Sequence, residues 1–346
     1  MRFVHTADLH VGANRRLPNY LRRQEEMFDS IFDVAYDHGV SVVVMAGDIF
    51  DDPETTTQLE REMVARKLLE YDASGFHILV IPGNHDLVDA TGHTAIHYLS
   101  LLSKHGKFRH SVVTESTVFV PVEDTVFCLL CHRKHHFSED SKRAVTDFST
   151  SSLLVPHKNF VVVAHETIRG SMTDIRVSDS EFYRLPSGED APDTSLPVTY
   201  WALGDIHKVQ AVTENAFYSG APLQTKFGDT WPKGVLVVDT DTPGDPQFVP
   251  VPSNQFVKAT KDDPIPPNSY VKWIFSSRDD IPDLIPNNVV SIQIAPKENS
   301  LSLDIDGSLG DKLLEGVKQQ GASEDELVLA QSEIESLLLL ASTESD

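Results

Sequence analysis

Ser41-Val42-Val43-Val44-Met45-Ala46-Gly47-Asp48-Ile49-Phe50-Asp51 is a Val-rich run that breaks at a glycine and continues into two carboxylates. The run from Ser41 to Met45 predicts a strand, because β-branched residues pack well on a pleated surface. Moving outward, Arg2 to His5 is short, apolar and β-prone, and Tyr20 to Asp37 has helical periodicity. Leu59 to Tyr71 is again helical and His77 to Ile81 again a strand. The order β-α-β-α-β predicts a parallel sheet covered by helices. In open sheets of this kind ligands sit beyond the carboxyl ends of the strands, where Asp48 and Asp51 lie.

After Ser111 the strands shorten: Thr117 to Pro121, Thr125 to Leu130, Phe160 to Ala164, Thr199 to Leu203 and Gly234 to Val238, with one helical stretch near Ser138 to Phe148. Packed as a second sheet they would complete a four-layer α-β-β-α sandwich. His165 to Thr199, which contains Pro186-Ser187-Gly188-Glu189-Asp190-Ala191-Pro192, is expected to be an extended loop. Pro264-Ile265-Pro266-Pro267 introduces a β-α-β-like piece, Ser269 to Pro296. In the tail, Ser323 and Glu326 have capping-box spacing, and Leu327, Ala330, Ile334, Leu337 and Ala341 make an apolar stripe on an acidic helix. The expected organisation is a domain over 1–255, a small α/β domain over 265–305, and a helical tail over 306–346. No internal repeat or low-complexity tract is present.

The chain has 346 residues, with hydrophobic residues at 40% and charged residues at 23%, ordinary values for a globular protein. No apolar run approaches the roughly 20 residues needed to cross a bilayer, and the first residues lack a signal-peptide pattern. The two cysteines, Cys128 and Cys131, are too few for a disulfide framework. A cytoplasmic location is expected. The balance of 29 basic against 52 acidic residues gives a net charge of -23. That is the reverse of a freestanding duplex-DNA binder, which neutralises phosphate with Lys and Arg. A nucleic-acid enzyme so acidic needs bound divalent metal, a local basic patch such as Arg15, Arg16, Arg22 and Arg23, or a partner that grips DNA. A surface adapted to high salt is the simpler alternative.

Five polar clusters follow strands: Asp8-Leu9-His10, Gly47-Asp48-Ile49-Phe50-Asp51, Gly83-Asn84-His85-Asp86, His165, and Gly204-Asp205-Ile206-His207. Carboxylate oxygen and imidazole nitrogen suit hard or borderline divalent ions, and a carboxylate shared by two ions about 3.5–4 Å apart makes a dinuclear site. If Asp8 and His10 lie on an extended segment, their side chains point the same way. Gly47, Gly83 and Gly204 would let the chain turn as it leaves each strand. Any one cluster is a common accident of turn chemistry; five, each after a strand, are not.

The order D-x-H, G-D-x-x-D, G-N-H-D, H and G-x-x-H resembles the calcineurin-like metallophosphoesterase superfamily. Thr6-Ala7-Asp8-Leu9-His10 and Ala46-Gly47-Asp48-Ile49-Phe50-Asp51 are similar to its SbcD-type DNA exonuclease branch. Tyr200 to Lys208, Tyr218 to Gln224 and Lys233-Gly234-Val235 resemble later motifs of that branch, so the likeness covers roughly residues 1–240. It implies a metallophosphoesterase sandwich with a small capping domain, and two divalent ions, manganese foremost and magnesium as the alternative. Asp8, His10 and His207 would hold one ion, Asp48 would bridge, and Asn84 with His165 would hold the second. His85 would stand by the scissile phosphate as a proton donor rather than a ligand. The partners implied are DNA, an SbcC-like ATPase whose coiled-coil base the C-terminal helix would bind, and a second copy of the nuclease chain.

Two positions depart from the pattern. Asp205 stands where the family usually has the first histidine of G-H-x-H; it can still bind metal, or the second site is weakened. Asp51 stands where some relatives have a histidine, and its carboxylate could orient His85. Weaker signals are Cys128-Leu129-Leu130-Cys131-His132 with His135 and His136, which superficially suggests a zinc knuckle, and His93 with His97, four apart on an expected helix. Strand context favours buried cysteines over zinc. The alternatives to a manganese-dependent DNA exonuclease and endonuclease are a phosphoesterase for a small substrate and a scaffold with weakened catalysis.

Overall fold

Val42 to Ala46 form a strand with every residue buried, as their β-branched composition demands. A computed structural model describes residues 1–89, 93–132, 137–150, 157–176, 182–185, 187–229, 231–252, 256–266, 269–282 and 284–294. Its first elements are β1 (Arg2–Thr6), α1 (Tyr20–Asp37), β2 (Val42–Ala46), α2 (Gln58–Ala73) and β3 (His77–Ile81). β2 pairs in parallel with both β1 and β3, as the alternation predicts. Next come α3 (His97–Lys104), β4 (Val112–Val113), β5 (Val118–Val122), β6 (Thr125–Leu129), α4 (Phe137–Thr150) and β7 (Asn159–His165). The chain continues through β8 (Met172–Arg176), β9 (Phe182–Arg184), β10 (Tyr200–Gly204), β11 (Gln210–Thr213) and β12 (Ala216–Tyr218). It then runs through β13 (Gly234–Asp239), β14 (Gln247–Pro250), β15 (Phe256–Thr260), β16 (Tyr270–Phe275) and β17 (Val289–Ile294).

Two six-stranded sheets result, in the orders β14-β13-β1-β2-β3-β4 and β11-β12-β10-β7-β6-β5. Period-two alternation stacks them. On β6, Phe127 and Leu129 join the core shared with the first sheet, while Val126 and Cys128 join a second core with Phe137, Val145 and Phe148 of α4. Phe3 meets Phe127 and Tyr200 edge-on at 5.4 and 5.7 Å between the sheets, and Phe148 stacks on Phe160 at 4.1 Å outside them. With α1 and α2 on the first sheet and α4 on the second, the architecture is the expected four-layer α/β sandwich.

Some expectations change. The segment after His165 is not a plain loop, since it carries the antiparallel pair β8–β9. Between β16 and β17 the described residues form a one-turn 3-10 segment, Arg278–Asp280, instead of a helix. β15, which precedes the Pro-rich stretch, shares the order β15-β16-β17 with the strands that follow it. Contacts divide the chain into residues 1–273 with 284–292, and residues 274–283 with 293–346. In the second unit the described residues are the ends of β16 and β17 and the 3-10 turn, where Ser277 accepts from the backbone of Asp279. The capping box at Ser323 and the acidic helix lie outside the described residues.

The start of α2 is fixed by a buried carboxylate. Thr57 and Glu60 form a capping box, and Glu60, fully enclosed, also accepts two bonds from Arg15 at 2.7 and 2.9 Å and one from Tyr20 at 3.1 Å. Arg15 is therefore spent on the fold and Arg23 lies 3.6 Å over the Tyr270 ring, while Arg22 pairs with Glu26 at the surface, so part of the expected basic patch is engaged internally. Removing one partner of a buried ion pair costs about 3–5 kcal/mol, less where one partner keeps contact with water. Arg15 is partly exposed, so Glu60→Gln should lower stability by about 2–3 kcal/mol. Urea unfolding should show the midpoint moving down at constant slope; an unmoved midpoint would remove this pair from the forces holding α2.

Candidate metal centre

The loops after β1 and β2 are zipped together beyond the sheet. The backbone N–H groups of Asp8, His10 and Val11 donate to the carbonyls of Gly47, Asp48 and Ile49 at 3.0, 3.0 and 2.9 Å. Asp8 and His10 do not converge by strand alternation as expected. β1 ends at Thr6, and Asp8, His10 and Asp48 take left-handed backbone angles, φ 56°, 45° and 52°. Such conformations cost non-glycine residues about 1–2 kcal/mol each and persist where the surroundings fix them.

The glycines also act differently from one another. Gly47 has φ 89° and supplies a turn no side chain favours. Gly83 has φ −104°, open to any residue, yet a Cβ there would overlap the Asp48 carboxylate and backbone nitrogen. At Gly204 a Cβ would overlap the Ala46 carbonyl and crowd the His165 ring. These two glycines permit close approach rather than turning.

The side chains meet in three overlapping groups, one of them His10, Asp51 and His85. Donor atoms of Asp8, His10 and His207 lie within 4.8 Å of one another, as do those of Asp8, Asp48 and His165. His10 Nε2 is 2.8 Å from His207 Nε2 and 3.6 Å from Asp48 Oδ2, and His165 Nε2 is 2.8 Å from Asn84 Oδ1 and 3.3 Å from Asp48 Oδ1. Asp48 thus faces both groups with different oxygens. His165 Nδ1 donates to the Ala46 carbonyl at 2.7 Å, which leaves Nε2 for the cluster. Asp205 Oδ1 is 3.8 Å from His165 Nε2, its other oxygen accepts from Thr167, and its N–H donates to Asp8 Oδ1 at 3.0 Å.

Asp8, His10, Asp48 and His165 are each no more than 3% exposed. Burial pushes the Asp8 carboxyl up to about 7, against the pull of His165. Burial also raises Asp48, but the His165 charge and hydrogen bond outweigh it and hold that carboxyl below the usual range. Burial and the neighbouring His10 push His207 well down. Asp8 Oδ2 is buried without a hydrogen-bond partner, and two imidazole nitrogens 2.8 Å apart cannot both carry protons. A divalent cation would satisfy both the orphaned oxygen and the facing lone pairs, so the donors fit metal ions.

Residues 1–209 match the calcineurin-like phosphoesterase family. The chain belongs to that family. It is 25% identical over 264 residues to the SbcD component of the SbcCD nuclease of Bacillus subtilis, covering 69% of this chain and 66% of the relative. To the same component of Escherichia coli K12 it is 31% identical over 253 residues, 66% of this chain and 62% of the relative. To the DNA double-strand break repair protein Mre11 of Methanopyrus kandleri it is 27% identical over 234 residues, 64% and 48% respectively. The matches span about half to two-thirds of these relatives' lengths.

Within this phosphoesterase, His85 stands exposed at the rim, 4.9 Å ring to ring from His10. Its Nδ1 donates to the carbonyl of Asp51 at 2.7 Å, while the Asp51 carboxylate turns 3.3 Å from His10 Nδ1. The expectation that the Asp51 carboxylate orients His85 is thus corrected: the backbone of that residue does so. Asp86, which sequence reasoning left without a role, accepts from the backbone of Ile49, Phe50 and Gly83 at 3.1, 2.9 and 2.9 Å. It ties the G-D-x-x-D loop to the G-N-H-D loop, and burial pushes its carboxyl up to about 6. Its position closing G-N-H-D was the available signal. His132 and Glu166 were also missed, and they line a cleft of about 580 Å3 with Asn84 and Asp205. Of the weaker signals, Cys128 is buried in β6, its thiol pushed up to about 12 by burial, and His93 and His97 face separate carboxylates, Asp89 and Glu115.

Gly83→Ala should displace the Asp48 carboxylate and press on the Asp48 backbone nitrogen, although φ at this position suits alanine. Calorimetric titration should show manganese affinity falling at least tenfold, about 1.4 kcal/mol, while the metal-free protein still melts cooperatively. Wild-type affinity in the variant would refute the close approach.

Proposed function

We propose that this phosphoesterase is a manganese-dependent DNA exonuclease and endonuclease that hydrolyses phosphodiester bonds with two metal ions. The reading is carried by adjoining donor groups that share Asp8, with Asp48 turning one oxygen toward His10 and the other toward His165, and with His85 at the rim. Asp8, His10 and His207 would hold one ion; Asn84 and His165, with Asp205 beside them, would hold the other; Asp48 would bridge. The ions would supply Lewis acidity and neutralise charge gathering on the phosphoryl oxygens. Asp205, a carboxylate where relatives usually carry imidazole, hardens the second site and favours manganese or magnesium.

The chain's own residues supply the rest. The carbonyl of Asp51 fixes a proton on His85 Nδ1 and leaves Nε2 for substrate. When protonated there, His85 can donate to the leaving oxygen. Asp86 holds the loops that carry Asp48 and His85 at a fixed separation. Similarity to SbcCD and Mre11 proteins favours DNA over a small phosphoester.

The net charge of -23, with Arg15 and Arg23 engaged internally, supports a partner that grips DNA. An SbcC-like ATPase in recombination or repair is that partner in this reading, and two copies of the nuclease chain would work together. Residues 1–255 would form the nuclease domain, 265–305 the cap and 306–346 the partner-binding helix.

The test is cleavage of linear single-stranded DNA and of bis(p-nitrophenyl) phosphate with manganese, magnesium or EDTA. DNA cleavage with manganese, abolished by EDTA and reduced at least 100-fold in His85→Gln with both ions retained, is expected; loss of a general acid is worth about 10²–10⁴. Cleavage of the small ester alone would favour a small-substrate phosphoesterase. Loss of metal in His85→Gln would make His85 a ligand.

A further inference from the structure

Lys208, Lys226 and Lys233 lie on the His207 side of the metal centre, and two of them are committed to the fold. Lys233 pairs with Asp229 at 2.5 Å, and both side chains are buried. Lys208 is buried as well, its Nζ 3.8 Å over the Trp231 ring and 3.2 Å from Met172 Sδ. Lys226 is exposed. It borders a cleft of about 170 Å3 together with Thr173, Asp205, Ile206 and His207.

The backbone beneath Lys226 is held from several directions. Gln224 Nε2 donates to the Lys226 carbonyl at 3.2 Å and to that of Asp229 at 2.6 Å, and the Asp229 N–H donates back to the Lys226 carbonyl at 3.2 Å. The Phe256 N–H donates to Gln224 Oε1 at 2.9 Å, and the Phe227 ring meets that of Phe256 edge-on at 5.0 Å. One residue earlier, Asn14 donates to the Thr225 carbonyl at 2.6 Å, which ties this turn to the segment that leaves Asp8 and His10. A long flexible side chain therefore rises from a backbone fixed against the metal loops. The cleft on the Asn84 side is of opposite character: among its described lining residues Glu166, Glu189 and Asp205 stand against the single imidazole of His132. Asp205 borders both clefts, so the contrast rests on Lys226 on one side and on Glu166 and Glu189 on the other. A polyanion crossing the centre is repelled by the second wall and attracted by the first.

We propose that Lys226 is a substrate-binding residue that holds a phosphate of the DNA strand beside the scissile one, on the His207 side of the metal centre. The contact deepens the nuclease reading and rests on it for the identity of the polyanion. The lysine ammonium acts as a point charge and reads no bases, so strands of different sequence gain alike. The strand lies along the His207 side, away from Glu166 and Glu189.

The anisotropy of a fluorescent phosphorothioate oligothymidylate, a single strand that resists cleavage, measures binding to the manganese-loaded full chain across salt concentrations. Lys226→Gln is expected to weaken binding about fivefold at low salt and to reduce the slope of log affinity against log salt by about 0.7, the share of one phosphate contact on a single strand. Lys226→Arg, which keeps the charge, should hold affinity within twofold of wild type, and both variants should keep the wild-type manganese stoichiometry. Affinity and slope equal to wild type in Lys226→Gln overturn the proposal. Loss of manganese from that variant also overturns it, since the lysine would then act through His207, and so does an equal loss of affinity in Lys226→Arg. Weakened binding in Lys226→Gln, with no cleavage of ordinary DNA by the wild type, would instead sink the nuclease reading and leave the phosphate contact standing. A wild-type chain that neither binds nor cleaves DNA would sink both.

Discussion

Three carboxyl groups, Asp8, Asp48 and Asp86, are buried together where the two sheets meet, and each is no more than 2% exposed. An ionised carboxylate in such surroundings is costly unless donors or cations surround it. Asp86 is satisfied by three backbone N–H groups; Asp48 takes the His85 N–H and the charge of His165; Asp8 keeps one oxygen with no hydrogen-bond partner. Divalent cations held there would supply the positive charge and the missing partner for that oxygen. Much else follows from that demand: the left-handed angles at Asp8, His10 and Asp48, the bare glycines at 83 and 204, and the direction in which His165 presents its ring.

The sandwich positions these groups by placing five strand ends at one edge. β1, β2 and β3 deliver their loops from the first sheet, and β7 and β10, parallel neighbours in the second, deliver His165 and the G-D-I-H turn. Beneath the site the buried pair His5 and Tyr200 links β1 to β10 through a 3.1 Å hydrogen bond, and burial holds His5 down to about 3, so the contact is one between neutral groups. Tertiary packing thus makes a rigid platform of strands, and the loops carry the chemistry. The chain is acidic overall, and two of its cations, Arg15 and Arg23, are committed inside the fold.

Much of this was legible in the chain. Long helices such as α1 and α2 and the Val-rich β2 follow from period and composition, and the clusters after strands point to Asp8, His10, Asp48, Asn84, His165 and His207 without any knowledge of which side chains meet. What escaped was set by tertiary contact. β8 and β9 are short strands between Gly170 and the Pro186–Pro192 stretch, too brief to leave a periodic trace. The Asp51 carboxylate turned to His10 because the loop's own carbonyl already occupied His85. Arg15 looked like a surface cation because its partner, Glu60, is 45 positions away. His132, read in the sequence only as part of a weak zinc-like cluster, comes beside His165 because β6 and β7 are neighbours.

Anomalous scattering at the manganese edge, from crystals grown with the ion, addresses the shared-carboxylate centre most directly. Two peaks are expected about 3.5–4 Å apart, one bounded by Asp8, His10 and His207, the other by Asn84 and His165, with Asp48 touching both. A single peak at saturating manganese, or peaks away from Asp48, would contradict a dinuclear centre in this fold.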